Sequence, residues 1–142
     1  MKPLYLCLGL AALGHAVYHL GQKTLPTSAN PMALLMGGYT VALLLATLAM
    51  PFFRAPGEAA WTAPAFNLPV VILGVGAVLI ELGFLLIYRR GGGLQWTGVA
   101  VSGLSALVLI PIGITYFREG LSPGRLLGVA LTLAGLVLVV RK

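Results

Sequence analysis

A single charged residue, Glu81, interrupts the apolar segment NLPVVILGVGAVLIELGFLLIY, residues 67–88. A helix rises about 1.5 Å per residue, so a segment of this length can cross roughly 30 Å of hydrocarbon. Helices and closed barrels are the structures that satisfy every backbone polar group in lipid, and a continuous apolar run favours the helix. The segment therefore predicts a membrane-spanning helix that carries an acid inside it.

The whole chain has the composition of a membrane protein. Its 142 residues are 59% hydrophobic and 8% charged, whereas soluble domains carry about 25% charged residues. Four other apolar runs have the same character, at residues 3–22, 31–53, 94–117 and 123–140. The sequence thus predicts an all-α membrane protein, with one domain of five transmembrane helices over residues 1–142. We expect a multi-pass protein of the cell (inner) membrane.

The net charge of +6 indicates an anionic partner. Because the basic residues stand at the ends of the apolar runs, membrane lipids are favoured as that partner over nucleic acid. The single cysteine, Cys7, excludes an intrachain disulfide and a cysteine-based metal cluster. No segment resembles a phosphate loop, a catalytic triad or a zinc protease. We therefore expect neither an enzyme nor a bound cofactor.

The distribution of basic residues gives almost no orientation signal. Five crossings would place four basic residues on the N-terminal side and five on the opposite side. The first group is Lys2, Arg54, Arg118 and Arg125, and the second is Lys23, Arg89, Arg90, Arg141 and Lys142. Either the small excess puts the second side in the cytoplasm, or the chain inserts in both orientations.

Glu81 is the residue that the sequence marks most strongly for function. A carboxylate in the middle of a bilayer costs about 2.5–3.5 kcal/mol on insertion scales, so such acids usually have a role. Its helical face also carries small and aromatic residues, namely Gly74, Ala77, Val78, Phe84, Leu85 and Tyr88. That face can line a cavity for an organic cation. Carboxyl groups out of water hold protons more tightly, so the acid could exchange protons near neutral pH. The alternative is a buried acid that only fixes helix packing.

The first apolar run has a polar stripe of His15, Tyr18, His19 and Gln22 at helical spacing. His15 and Glu81 are expected at similar depth, because each stands seven residues before the end of a run that crosses in the same direction. We therefore expect His15 to pair with Glu81 and tune it. Two histidines without further ligands are a weak metal signal, so no metal site is predicted. Interhelical hydrogen bonding is the other interpretation of this stripe.

Small residues in the last run indicate helix contacts. Gly128, Thr132 and Gly135 share one face, which suits close packing within the subunit or with a second copy.

Pro111 in the fourth run predicts one kinked helix rather than two half-helices. Ser122 is expected to cap the fifth helix, with Pro123 at its first position.

Residues 86–142, LIYRRGGGLQWTGVAVSGLSALVLIPIGITYFREGLSPGRLLGVALTLAGLVLVVRK, resemble the end of an EamA-type repeat of the drug/metabolite transporter superfamily. The shared features are a basic turn, a proline within the fourth helix, a Glu-x-Leu-Ser turn at 119–122 and a Gly-rich fifth helix. Residues 9–26, GLAALGHAVYHLGQKTLP, are similar to the first helix of such a repeat. The second helix departs from the pattern, because NPMALLMGGYT stands where an arginine is often found.

The resemblance implies a transporter. Most members carry two such repeats, inverted relative to each other, with the substrate site at their interface near the membrane midplane. This chain is half of that ten-helix architecture, so two copies would have to pair in opposite orientations. The small multidrug resistance transporters are similar in using an antiparallel dimer and a membrane glutamate, although their glutamate lies in the first helix rather than the third.

The resulting prediction is a proton-coupled exporter of a small organic cation or metabolite, working as an antiparallel dual-topology homodimer. Glu81 and His15 are its predicted proton and substrate groups. Aromatic walls are expected from Tyr18, Tyr39, Phe84 and Tyr88. The alternatives are a subunit of a heterodimeric lipid-linked-sugar flippase and a structural membrane protein without transport activity.

Overall fold

The computed structural model describes residues 2–59, 61, 64, 66–120 and 122–140. Helices account for most of them, and no strand occurs within these ranges. The five helices are α1 Lys2–Thr24, α2 Pro31–Ala49, α3 Leu68–Arg89, α4 Leu94–Thr115 and α5 Pro123–Val140. A short 3₁₀ helix, Met50–Phe53, follows α2 where Pro51 interrupts the α-helical bonding pattern. Three residues that entered the sequence predictions, Leu121, Arg141 and Lys142, lie outside the described residues.

The helices are those of a multi-pass membrane protein. Four of them, α1 to α4, are long and apolar enough to cross a bilayer, and α5 is a shorter apolar helix. Large apolar side chains along them are exposed in the isolated chain, as at Leu73 and Leu138. Lipid can cover such surfaces without a free-energy cost. The prediction of a helical membrane protein is confirmed at this level. The fifth crossing, the ten-helix architecture and the identity of the membrane stay predictions.

Side-chain caps fix where three helices begin. The Asn30 side chain accepts a hydrogen bond from the backbone nitrogen of Met32, and Asn67 does the same for Val70. At α5, the backbone nitrogen of Arg125 donates to the Ser122 hydroxyl at 3.3 Å. Such caps satisfy backbone donors that the first helical turn leaves unpaired. The predicted roles of Ser122 and Pro123 are confirmed.

Threonine hydroxyls in the apolar helices bond back to their own helix. Each donates to the carbonyl oxygen four residues earlier, at distances between 2.7 and 2.9 Å. The residues are Thr40, Thr47, Thr97, Thr115 and Thr132. A hydroxyl bonded in this way can lie in hydrocarbon without an unpaired donor. Thr115 bonds to Pro111, and α4 continues through that proline as one helix. The predicted kink stays a prediction.

The chain divides into two compact units. We call Met1–Leu20 with Gly91–Lys142 the terminal unit, and Gly21–Arg90 the central unit. The terminal unit contains most of α1 together with α4 and α5, and the central unit contains the end of α1 with α2 and α3. Whether the chain is the single five-helix domain expected from its sequence stays a prediction.

In the terminal unit, α4 packs closely against α5. Thr97, Ala100 and Gly103 lie along one face of α4 and are buried. A Cβ atom on Gly103 would run into a methyl carbon of Leu136, so the absence of a side chain there permits the close approach. Gly103 is thus a packing residue of this helix pair.

In the central unit, α2 packs against α3. Leu35 of α2 is buried, as are Phe84, Leu85 and Tyr88 near the end of α3. The Arg89 guanidinium donates to the backbone carbonyl of Ala29 and, at 3.5 Å, to that of Pro26. These bonds join the last turn of α3 to the loop between α1 and α2.

Candidate functional site

Glu81 lies in the central unit on the face of α3 that becomes buried toward its C-terminal end. Glu81 is half-buried, and Leu85 and Tyr88, one and two turns further on, are 1% and 6% exposed. The side-chain nitrogen of Gln22 donates to the backbone carbonyl oxygen of Glu81 at 3.4 Å. This bond connects the end of α1 to the middle of α3. The acid therefore sits at a junction of helices within this unit.

The Glu81 carboxylate has no hydrogen bond or ion pair to any residue that the structure describes. Tyr39 of α2 lies within electrostatic range of Glu81, but no hydrogen bond joins the two. The Tyr39 hydroxyl is buried, and no described group accepts or donates a hydrogen bond there. A buried phenol without a partner is costly, since burial removes its bonds to water. An acid and an unsatisfied hydroxyl thus lie near each other in the central unit.

Two aromatic rings follow Glu81 along α3. Phe84 and Tyr88 have ring centroids 6.4 Å apart and planes 20° from parallel. The ammonium nitrogen of Lys23 stands 5.5 Å from the Tyr88 ring centroid, within the range of a cation–π contact. The Tyr88 ring therefore already attracts a cation that belongs to the chain itself. These contacts give the central unit the chemistry of a cation site.

The terminal unit holds the remaining predicted residues. The Nε2 atoms of His15 and His19 are 2.9 Å apart, and the rings of Tyr18 and His19 meet edge to face at 5.3 Å. Both histidines line a cavity of about 840 Å³ between parts of α1, α4 and α5. Polar groups on its wall also come from Ser102, Arg125 and Thr132. No acid is among the described residues that line it.

The predicted site residues therefore fall into two groups. Glu81, Tyr39, Phe84 and Tyr88 belong to the central unit, and His15 and Tyr18 belong to the terminal unit. Within the central unit, Tyr39 is brought near Glu81 and Phe84 stacks on Tyr88. His15 is instead paired with His19, its neighbour one turn on. The pairing of His15 with Glu81 stays a prediction.

Sequence reasoning missed contributions from three polar residues. The polar stripe of α1 does not predict a partner for Gln22, whose side chain donates to the backbone carbonyl of Glu81. The sequence presents Lys23 and Arg125 only as charges near helix ends, whereas Lys23 lies over the Tyr88 ring and Arg125 lines the cavity. Nothing in the local pattern around Arg125 marks it as part of a cavity, because α4 and α1 supply the other walls.

The stripe of small residues on α5 does not pack within the described chain. A Cβ atom added to Gly128 or Gly135 would meet nothing within 4 Å, and Thr132 bonds to its own helix. Gly128 and Thr132 instead line the cavity of the terminal unit. Their role in a dimer stays a prediction. Over the described ranges, no three residues of the metal-binding types His, Cys, Asp and Glu come together.

The chain matches no protein-family model, no curated protein and no solved structure. Its function is therefore inferred from its own residues. The likeness to EamA-type repeats remains an expectation drawn from the sequence.

Proposed function

We propose that the protein is a proton-coupled secondary transporter that exports a small organic cation or metabolite. The observation that carries this proposal is the half-buried carboxylate of Glu81 in a membrane-spanning helix, within electrostatic range of a buried Tyr39 hydroxyl that has no partner. Ionisable groups at such positions usually serve proton or substrate movement, because their insertion into lipid is costly.

Glu81 would act by exchanging one positive charge for another. Its carboxylate binds either a proton or a cationic substrate, and the arrival of one favours release of the other. Tyr39 can donate its hydroxyl proton to the carboxylate when the site is charged and needs no such bond when Glu81 is neutral. A carboxylate without an ion pair to the described residues is suited to this exchange, since no salt bridge to it has to break first.

The aromatic rings support a cationic substrate. Tyr88 holds the Lys23 ammonium at 5.5 Å, and Phe84 stacks alongside. An organic cation would take the same face of the ring, with Lys23 moving away toward the headgroups. Such contacts contribute about 0.5–2 kcal/mol each, depending on how far the pair is desolvated.

The working unit would be an antiparallel homodimer. The nearly equal basic charge on the two sides permits insertion in either orientation, and the five helices resemble one repeat of an inverted pair. A C-terminal tag should then be labelled from both sides of the membrane in intact cells. Labelling from one side only would contradict this assembly and leave a parallel or heterodimeric one.

The test of transport is a liposome assay with a panel of organic cations. Purified protein should release protons when a substrate is added, and Glu81→Gln should abolish that release. Glu58→Gln is the matched control, because Glu58 is an exposed loop acid that bonds to the backbone nitrogen of Ala55. Equal proton release by wild type and Glu81→Gln would overturn the proposal.

A subunit of a lipid-linked-sugar flippase is the second candidate, and the cavity of the terminal unit favours it. That cavity has no acid on its described wall, and Arg125 at the start of α5 could hold an anionic headgroup. Arg125→Gln separates the two functions. It should stop flipping of a lipid-linked anionic sugar if this candidate is correct, while leaving proton–cation exchange at Glu81 unchanged.

A further inference from the structure

We propose that His15 and His19 form a binding site for a transition-metal ion of the Cu²⁺ or Ni²⁺ class. The two imidazoles present Nε2 atoms 2.9 Å apart, and both side chains line the cavity of the terminal unit. This site lies outside the central unit and does not depend on the proposed transport function. Imidazole nitrogen is a preferred ligand of Cu²⁺ and Ni²⁺.

The two Nε2 atoms share a hydrogen bond, and a metal ion bound between them would replace its proton. Metal–imidazole bonds are about 2.0–2.1 Å long, so two nitrogens 2.9 Å apart subtend an angle of about 90° at the ion. That is the angle between neighbouring ligands in a square-planar or tetragonal complex, which Cu²⁺ and Ni²⁺ favour. Tetrahedral zinc would need the two nitrogens to move from 2.9 Å to about 3.3 Å apart.

The pair is held in place by its own helix. His15 and His19 stand one turn apart on α1, so they share a face without any rearrangement of the fold. The His19 side chain is 7% exposed, and its ring also meets that of Tyr18. A buried, packed imidazole loses little conformational freedom when a metal binds.

The neighbouring helix α4 packs closely against the two rings at Gly98. A Cβ atom on Gly98 would stand 3.1 Å from Nε2 of His19 and 3.5 Å from Cε1 of His15. Glycine at this position therefore allows α4 to lie against the rings, and a metal ion would have to bind on the cavity side of the nitrogens. The Ser102 hydroxyl lies on the same cavity wall, one turn further along α4.

The remaining ligands of the metal ion would be water molecules or small anions in the cavity. The cavity wall carries no described acid and one cation, Arg125, so the charge of the ion would have to be balanced by water-derived hydroxide or by a small anion. A site with two protein ligands keeps several open positions and exchanges its other ligands readily. We therefore expect an exchangeable site rather than a structural one.

Copper titration of the untagged full-length protein tests the site. The protein is reconstituted in lipid nanodiscs in a Cys7→Ser background, because the exposed thiol of Cys7 would itself bind copper. Electron paramagnetic resonance should show one Cu²⁺ per chain with hyperfine structure from two imidazole nitrogens. His15→Gln and His19→Gln should each weaken binding by about tenfold or more and remove one nitrogen from the spectrum.

Two further measurements keep the result independent of folding. Gly98→Val retains both histidines but fills the space beside them, so it should also weaken copper binding while circular dichroism shows the helices intact. Gln95→Ala, at an exposed position of α4, is the matched control and should bind like wild type.

Bound Ni²⁺ should resist exchange with an equal concentration of Zn²⁺. Unchanged copper spectra in both histidine variants, or displacement of Ni²⁺ by Zn²⁺, would overturn the proposal.

Discussion

The side-chain amide of Gln22 donates a hydrogen bond to the backbone carbonyl oxygen of Glu81, with 3.4 Å between nitrogen and oxygen. The two residues are 59 positions apart in sequence, and Gln22 is only 6% exposed. The bond therefore places the last turns of α1 against the part of α3 that carries the acid. A movement of this end of α1 would therefore break this bond or shift the backbone at Glu81.

Gln22→Ala should destabilise the protein by about 1–3 kcal/mol, because it removes a buried amide and its bond. Unfolding of the reconstituted protein, followed by circular dichroism during titration with denaturing detergent, measures the loss. Gln95→Ala removes an exposed amide from α4 and should change stability by less than about 0.5 kcal/mol. Equal losses in the two variants would show that the bond to Glu81 contributes nothing.

Tyr39→Phe should raise stability while lowering transport. The substitution removes a buried hydroxyl that lacks a partner, which relieves about 1–3 kcal/mol of desolvation cost. It also removes the hydroxyl proposed to donate to Glu81 when the site is charged, so proton-coupled uptake into liposomes should fall. A gain in stability together with a loss of transport would indicate that the hydroxyl serves function at the expense of stability. A loss of both stability and transport would instead indicate a packing role for the hydroxyl.

Gly103→Ala should weaken the contact between α4 and α5. The added methyl would run into a methyl carbon of Leu136, and moving that side chain should cost about 1 kcal/mol, the low end for overpacking. Leu136→Val in the same chain should restore most of this stability, because it withdraws the methyl carbon that clashes. Gly135→Ala is the control, since a Cβ atom there meets nothing within 4 Å. The three variants are compared by thermal unfolding in detergent.

Arg89→Gln and Arg90→Gln should differ although both remove one positive charge from the same turn. Arg89 donates to the carbonyl of Ala29, so its loss should release the loop between α1 and α2. Hydrogen exchange at residues 25–30 should then rise by about tenfold, which corresponds to about 1.4 kcal/mol. The Arg90 side chain is exposed, and Arg90→Gln should leave exchange at wild-type rates. Equal exchange rates in the two variants would show that the loop responds to the loss of positive charge and not to the loss of the Arg89 hydrogen bond.

The helices could be predicted closely because apolar length and capping residues are local properties. The run predicted at residues 67–88 is α3 Leu68–Arg89, and the run at 123–140 is α5 Pro123–Val140. The main difference is in the second run, predicted over 31–53, where the α-helix ends at Ala49 and a 3₁₀ turn follows. Pro51 lacks the backbone donor that an α-helix needs, so a hydropathy pattern overstates the length of this helix.

The site could be predicted only in part, because contacts between helices depend on their packing. Glu81 and the stacking of Phe84 with Tyr88 follow from the spacing along one helix. The approach of Tyr39 requires α2 to pack on α3 in a particular rotation, which periodicity alone does not fix. The cavity lined by Arg125 is a feature of three chain segments, and no single one of them predicts it.

Most threonine hydroxyls in the apolar helices already donate their proton to their own helix. Those that bond back to the preceding turn, such as Thr40 in α2 and Thr132 in α5, have no proton left to offer a passing solute. Their oxygen atoms can still accept a hydrogen bond, but they cannot donate one. A hydrogen-bond donor for a solute in the bilayer must therefore come from other side chains, and Thr40→Val should leave transport of a solute that needs such a donor intact.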